Sequence, residues 1–571
     1  MLLIALTFLY IVFTTINFGA CVNSLFKTRN PDFAITSLLG IFSIALLTSV
    51  WAIFDRVNWE FHMVLFLGNT ALFFVFKNAV IANYRLLRIR FTKLSKPLKW
   101  LLLVNSILIL AKSAAAPYIL DNESYYIQTV KWLNEYGFVE GLANLHLFLG
   151  QMSGWHVAQS AFSFSFIHSG FNDLSGYCLL LTNLYAVFRL QDYFQSPSKI
   201  ALVMGLLPIA NVFFLQFSGA PSADIPIFVL TFLAIDIFIC HFENPERGTL
   251  SLLVILVLFA LYIKITAIAL VILPLFWLVL DFKILFSKRI FFLSFGVLAL
   301  FVTRNAIVSG MPLFPLPYAF GFHPDYAIPQ PIVDFFFVES RPYLYGLTKT
   351  EFDAMPVWEI FIRWMRMPKL HGFFNTVNAV LLVVTPFFIR KFAPIKSVWI
   401  VYLTMVAQFA LLFWLSPQYR FFMNFILFFG LFCLACLVNK QAAVKGILVF
   451  STVLAAVPVF VPLGLDSVTN NKYADKTMAF SARELVFPHP NSKSDTGFEK
   501  LKIGNLDYYS PVNNDFFWKT GDGPLPCVNK DQIEFFDENF HARPQLRSDS
   551  LQDGFLSEFS HATIRDTLHP R

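Results

Sequence analysis

Apolar runs long enough to cross ~30 Å of hydrocarbon recur along most of the chain. They fall at 2–22, 33–54, 61–83, 100–118, 153–169, 174–190, 199–217, 224–241, 249–281, 290–308, 374–389, 397–415, 419–438 and 444–463. The run 249–281 is too long for one crossing and holds Lys264 midway, which predicts two short helices with Lys264 at the turn. The pattern predicts an all-α polytopic membrane bundle of about 13–15 spans. Between the runs, the loop 309–373 carries nine prolines and reads as an irregular layer. Within it Val357, Phe361 and Trp364 fall at helical spacing, with Glu359, Arg363 and Arg366 elsewhere on the turn. That spacing predicts a short helix lying at the membrane surface. Beyond residue 463, short β-like runs alternate with turns such as Thr520-Gly-Asp-Gly-Pro524, which predicts a small α+β domain. Roughly the last twenty residues are polar and are expected to be loosely ordered.

Composition agrees with a membrane chain. Of 571 residues 57% are hydrophobic and 14% charged, against about 25% charged in a soluble protein. The net charge of +7 is unevenly divided. The stretch from Asp466 to Arg571 holds 12 basic and 16 acidic residues, net −4, and the remainder 31 and 20, net +11. Arg85, Arg88, Arg90, Lys93, Lys96 and Lys99 crowd one loop; Lys27 with Arg29, Lys283 with Lys288 and Arg289, Arg390 with Lys391 and Lys396, and Lys440 with Lys445 mark others. These loops are read as cytoplasmic. The outer loops 119–152 and 309–373 and the tail 464–571 then face the other side. One re-entrant piece within 153–217 reconciles that side with the span count and brings Ser218-Gly-Ala-Pro-Ser-Ala-Asp224 and Lys264 outward. The division is residues 1–99 as N-terminal transmembrane helices, 100–463 as the transmembrane core, and 464–571 as an extracytoplasmic, periplasmic domain. Residues 1–21 have no Lys or Arg and read as a retained first helix. Cys433 and Cys436 form a CxxC inside an apolar run with no second pair beside it, a poor metal site.

The most informative stretch is Leu120-Asp-Asn-Glu-Ser-Tyr-Tyr-Ile-Gln-Thr-Val-Lys-Trp-Leu-Asn-Glu-Tyr-Gly137. Asp121 and Glu123 sit where a helix leaves the bilayer, followed by an amphipathic helix whose Tyr126, Val130 and Leu133 share one face. A carboxylate there can act as general base for an acceptor hydroxyl attacking a sugar carbon. A lipid-linked phosphate as leaving group needs cations, and Lys264 and Arg304 at predicted helix ends can supply charge-assisted hydrogen bonds, with Arg341 and Arg420 as further candidates. Plainer roles compete: Asp121 suits a helix N-cap, and Lys264 and Arg304 suit snorkelling to headgroups. His146 and His156 are weak evidence for a metal. Asp236, inside a span, is expected to face the bundle interior. No phosphate-binding G-x-x-x-x-G-K-[ST] loop, no soluble βαβ nucleotide domain and no basic cluster on a soluble element are present, so ATP-driven pumping, sugar-nucleotide use and nucleic-acid binding find no support.

This arrangement resembles the GT-C superfamily of membrane glycosyltransferases. The resemblance rests on Asp121 with Glu123 and the amphipathic helix after them, on Ala220-Pro-Ser-Ala-Asp224, Lys264-Ile-Thr266, Thr303-Arg-Asn305 followed by Ser309-Gly-Met-Pro-Leu-Phe-Pro315, and Ser416-Pro-Gln-Tyr-Arg-Phe421. It implies a GT-C-like bundle, a polyprenyl-phosphate sugar as donor, and a first-loop carboxylate that activates the acceptor or binds a divalent cation. That role falls on Asp121, with Glu123 second. The chain departs from the pattern in its three extra N-terminal spans and in lacking the Trp-Trp-Asp signature of oligosaccharyltransferases, which leaves the acceptor open. The chain is also similar, over roughly 100–555, to a family of large polytopic membrane proteins of Bacteroidetes and spirochaetes for which no reaction is assigned. The matching pieces are Tyr125-Tyr-Ile-Gln128, Lys131-Trp-Leu133, Gly141-Leu-Ala-Asn-Leu-His146, Ser153-Gly-Trp-His156 and Phe171-Asn-Asp173, and in the tail Phe517-Trp518, Leu525-Pro-Cys527, Leu546-Arg547 and Gly554-Phe555. Tyr125 and His146 complete the expected substrate-binding set. The expected function is a glycosyltransferase of the bacterial cytoplasmic membrane, moving sugar from polyprenyl phosphate to an envelope glycan, lipid or protein. Two other readings stay open: a transporter or flippase of lipid-linked glycans using Asp236 and Lys264, and a non-catalytic envelope-assembly scaffold.

Overall fold

Helices form wherever the apolar runs are long, and they turn their polar residues inward. The computed structural model describes residues 1–559 except 29, 31, 169, 171, 317–320, 439, 470, 475, 494, 513 and 514. Arg29, Phe171 and the terminal residues 560–571 thus lie outside the described residues. Among the described residues nine helices are long and apolar enough to cross a membrane: Leu2–Phe26, Phe33–Ala52, Lys96–Ala114, Lys199–Phe217, Lys288–Ser309, Lys369–Phe392, Lys396–Leu415, Tyr419–Leu437 and Gln441–Phe460. A tenth results if Trp59–Val75 and Lys77–Lys93, bent by 85°, make one span. Lys288–Ser309 exposes Phe291, Phe292, Phe295 and Leu298 while burying Arg304 and Asn305. Water would favour the reverse; lipid favours this one. The chain is a multi-pass membrane protein.

The expectation of about 13–15 spans is corrected to nine or ten. Residues 153–169 do not cross. They make the seven-residue helix Gly154–Ser160, started by a Ser153–His156 capping box and buried along its whole length, and then leave it through turns. Asp224–Cys240 and Arg247–Ile263 have 17 residues each, or about 25 Å at 1.5 Å per residue. The run 249–281 is broken as expected. Lys264 has extended backbone (φ −153°, ψ 111°), and a 3₁₀ segment Ile265–Val271 leads into Ile272–Leu280. The expected surface helix is Val357–Met365, seated by Ile360 and Trp364, with Val357 exposed instead.

The first two helices are bound into the core. Gly19 and Gly40 allow a close crossing: a Cβ at Gly40 would lie 1.8 Å from the Thr15 carbonyl oxygen, and one at Gly19 1.9 Å from that of Thr36. Beside this crossing Ser37 Oγ lies 2.7 Å from both Thr15 Oγ1 and Tyr177 Oη, tying both helices to Leu174–Gln195. Asn211 donates to Asn105 and Asn183 Oδ1 at 2.8 Å each. Asp236 faces the interior, held by the Tyr185 hydroxyl and by Arg189 Nη2 at 2.8 Å. Small residues at a crossing and hydrogen bonds across helices replace the hydrophobic drive that lipid does not provide.

The tail carries two antiparallel hairpin-like pairs. β1 (Phe498–Ile503) pairs with β2 (Leu506–Pro511), and β3 (Ala542–Leu546) with β4 (Phe555–Phe559), around the helix Lys530–Phe540. Its apolar side is continuous with the bundle: the Phe555 ring meets Trp132 edge-on at 5.6 Å, and the Phe555 N–H donates to the Glu140 carbonyl at 2.9 Å.

The Gly40 crossing yields a prediction. Gly40→Leu lowers the thermal midpoint of the detergent-solubilised protein, in line with an overpacking cost of about 1–3 kcal/mol or more. Gly296→Leu, where nothing lies within 4 Å of the new Cβ, leaves it nearly unchanged. Equal midpoints for the two variants would show that the crossing is not tightly packed.

Candidate functional site

Two opposite charges meet at one end of the bundle, brought by elements almost three hundred residues apart in sequence. Asp121 opens a π-helical turn, Asn122–Tyr126, that runs into the helix Ile127–Tyr136. Its side chain caps no backbone N–H. It accepts instead from Arg420 Nη1 at 2.7 Å and from the Tyr126 hydroxyl at 3.4 Å. Arg420 sits on a 3₁₀ turn, Tyr419–Phe422, at the start of a span, and its Nε donates to Gln418 Oε1 at 3.1 Å. A second pair stands beside the first. Lys264, at the helix break, donates to Asp224 Oδ1 at 3.0 Å. Phe421 joins the two, with its ring centroid 3.9 Å from Lys264 Nζ and 5.1 Å from the Arg420 guanidinium. Asp224 is buried, whereas the Asp121, Arg420 and Lys264 side chains each keep about a quarter of their surface (26%, 26% and 25%). The cluster is therefore reachable and carries two positive and two negative charges.

Beneath it lies an aromatic layer. Tyr125 and Tyr126 meet at 4.8 Å, and the His156 ring is 4.7 Å from Tyr126 and 6.0 Å from Tyr125. Burial pushes the Tyr125 hydroxyl well above its ordinary range, so it stays protonated as a donor. His156 Nδ1 accepts the Ser153 N–H at 3.3 Å, which leaves Nε2 as the N–H; that atom is buried without a partner among the described residues. Arg304 is 2% exposed and near enough to His156 to act on it electrostatically. Its guanidinium lies 5.0 Å from the Tyr262 ring and 5.2 Å from that of Phe301, and Nε and Nη1 donate to nothing among the described residues. A buried guanidinium with no carboxylate partner among the described residues is costly.

The other predicted residues stand apart. Glu123 is 5% exposed and is enclosed by the tail: its carboxylate accepts from Ser492 Oγ and the Lys493 N–H, both at 2.7 Å, and its carbonyl from the N–H groups of Thr520 and Gly521 at 2.8 Å. With both carboxylate oxygens engaged, it holds the loop in place and is not presented to a substrate. Arg341 lies over Trp414 at 4.8 Å and Phe352 at 5.7 Å, in a different cluster. His146 lies under tail Trp518, 5.6 Å between rings; its Nδ1 accepts the Phe148 N–H at 3.2 Å and its Nε2 faces the Trp518 carbonyl at 3.4 Å. Gln128 and Lys131 add to the same clasp, donating to the Gly523 carbonyl at 2.9 Å each. Sequence reasoning missed Asp224 as the partner of Lys264, and missed the tail's grip on the loop. Only the acidic residue closing Ala220-Pro-Ser-Ala-Asp224 hinted at the first.

The Arg420 guanidinium and the Tyr126 hydroxyl both donate to the same Asp121 oxygen, Oδ2. No group of three or more His, Cys, Asp or Glu among the described residues is placed to hold a metal ion.

Two outcomes follow from the clasp. Glu123→Ala strands the Ser492 and Lys493 donors, a loss of about 1–3 kcal/mol, and is expected to speed limited proteolysis of the tail; cleavage at the wild-type rate would dissociate Glu123 from tail docking. Burial lowers His146 to about 4, so the folded state favours its neutral form. The unfolded chain then binds the extra proton between pH ~6.5 and ~4, and stability falls as pH drops through that window, by on the order of 2 kcal/mol. Melting curves of wild type and His146→Gln at pH 7 and 4.5 measure this: the variant should lose less on acidification than the wild type.

Residues 1–427 match the family model described as Domain of unknown function (DUF8201). The match takes in Asp121, Asp224, Lys264, Arg304 and Arg420 and stops within the helix Met423–Leu437, before the tail. No curated protein and no solved structure matches the chain. Because the family model covers three-quarters of its length, the chain belongs to the family described as Domain of unknown function (DUF8201).

Proposed function

We propose that this protein is a glycosyltransferase acting on the outer face of the bacterial cytoplasmic membrane. It moves a sugar from a polyprenyl-phosphate donor to an envelope glycan, lipid or protein. The observation that carries the reading is Asp121 held by Arg420 at a reachable bundle end, with Lys264–Asp224 beside it and Arg304, which has no ion pair among the described residues, near His156.

The paired charges suit a leaving phosphate. In the resting arrangement Arg420 neutralises Asp121. A phosphate entering beside Arg420 competes for the guanidinium and frees the carboxylate to accept a proton. The acceptor hydroxyl then passes its proton to Asp121 as its oxygen bonds to the anomeric carbon. The bond from that carbon to the phosphate oxygen breaks, and its electron pair leaves on the phosphate, stabilised by Arg420, Lys264 and Arg304. Attack opposite the leaving group inverts the anomeric centre. In this reading the protonated Tyr125 donates to a sugar hydroxyl.

In nanodiscs supplied with a panel of radiolabelled polyprenyl-phosphate sugars and an envelope extract, wild type should transfer label to an acceptor. Asp121→Asn, with an unchanged melting curve, should lower the rate by roughly 10²–10⁴-fold. Undiminished transfer by the variant removes the general-base role. Absence of transfer from every donor by folded wild type removes the transferase reading.

A further inference from the structure

A groove of about 520 Å³ runs along the surface helix Val357–Met365, between it and the turn Arg341–Tyr345. Its apolar wall includes Tyr345, Trp358 and Ile362; Arg363 and Arg366 supply two cations and Glu359 one anion. Both arginines are exposed. Arg363 Nη2 donates to the Gly346 carbonyl at 3.2 Å, and the Arg366 side chain has neither hydrogen bond nor ion pair among the described residues. The helix is fixed in place from below. Trp364 is fully buried and its indole N–H donates to the Pro417 carbonyl at 2.9 Å, three residues before Arg420. The groove therefore belongs to the same bundle end as Asp121.

Its surroundings are those of a bilayer boundary. Trp358 is 61% exposed, and the adjoining span ends expose Phe373, Trp414 and Leu415. Aromatic side chains concentrate at headgroup level, and an amphipathic helix there lies with its apolar face toward acyl chains. The charge excess of the groove favours an anion, and its apolar wall favours a chain attached to that anion.

We propose that this groove seats an anionic glycerophospholipid of the surrounding bilayer. The phosphate lies between Arg363 and Arg366, and the start of an acyl chain runs along Trp358 and Ile362. Arginine pairs favour phosphate through planar, two-point hydrogen bonding. The net positive charge selects an anionic headgroup over a zwitterionic one of equal chain length. The assignment does not depend on the transferase reading, because none of the groove residues belongs to the Asp121 cluster.

Native mass spectrometry of the full chain, titrated with phosphatidylglycerol or phosphatidylcholine of the same acyl length, tests this. Wild type should retain phosphatidylglycerol preferentially. The double variant Arg363→Gln/Arg366→Gln should lose most of that preference, by about fivefold per arginine, with phosphatidylglycerol retention falling more than phosphatidylcholine retention. Arg363→Lys/Arg366→Lys should keep the larger part of it. Equal retention of the two lipids by wild type, or an undiminished preference in the double glutamine variant, overturns the proposal. Should the double variant fail to fold, Arg366→Gln alone decides, since that side chain has neither hydrogen bond nor ion pair among the described residues. Its preference should fall about fivefold, and an unchanged preference overturns the proposal.

Discussion

Inside a bilayer a polar group has no water to turn to, and each must find its partner within the protein. That constraint orders the whole molecule. It draws Thr15, Ser37, Asn105, Asn183 and Asn211 into hydrogen-bonded contacts between helices while Phe and Leu side chains face outward. It also confines irregular backbone to places where protein covers it. The buried turn after Ser153, the break at Lys264 and the 3₁₀ entry at Arg420 are such places. The interruptions at Lys264 and Arg420 meet at one bundle end, where helix ends release backbone from its regular bonds and leave charged side chains beside one another.

Those charges are mostly balanced. Asp236 is paired with Arg189, Asp32 with Arg90, Asp224 with Lys264 and Asp121 with Arg420. The first two pairs lie at the opposite end of the helices from Asp121's loop and are structural ties. The last two lie close together, each with a cation about a quarter exposed, whereas the Asp224 carboxylate is buried. Arg304 breaks the rule. With no acidic partner among the described residues, it is stable where it lies only at a cost.

The tail and the loop depend on each other. The tail holds the π-helical turn after Asp121 at Glu123, which accepts from Ser492, Lys493, Thr520 and Gly521, and Gln128 in the following helix donates to Gly523. At the far side of the same contact Gly554, with φ 93°, lets the Glu140 carbonyl approach to 2.0 Å of where a Cβ would stand. The Asp121 side chain is thus aimed by residues some four hundred positions further along the chain. The tail lies beyond the family match, whereas the charges it helps to orient lie within it.

The amino-acid order by itself determined the membrane character, the break at Lys264, the surface helix before residue 366 and the prominence of Asp121, because each follows from local hydropathy, spacing or a charge in an apolar run. Span number was less legible. Loop charges call for one re-entrant piece within 153–217, and only burial among other helices shows that 153–169 is a piece that does not cross. Asp236 could be placed in the bundle interior, but the partners of individual charges were not legible. Asp121 suited a helix cap, and Glu123 stood beside it with the same chemistry. Tertiary structure separated them, because Arg420 reaches one carboxylate and the tail encloses the other. Pairing between residues hundreds of positions apart leaves no periodic mark in the sequence; it exists only once packing has fixed which side chains can meet.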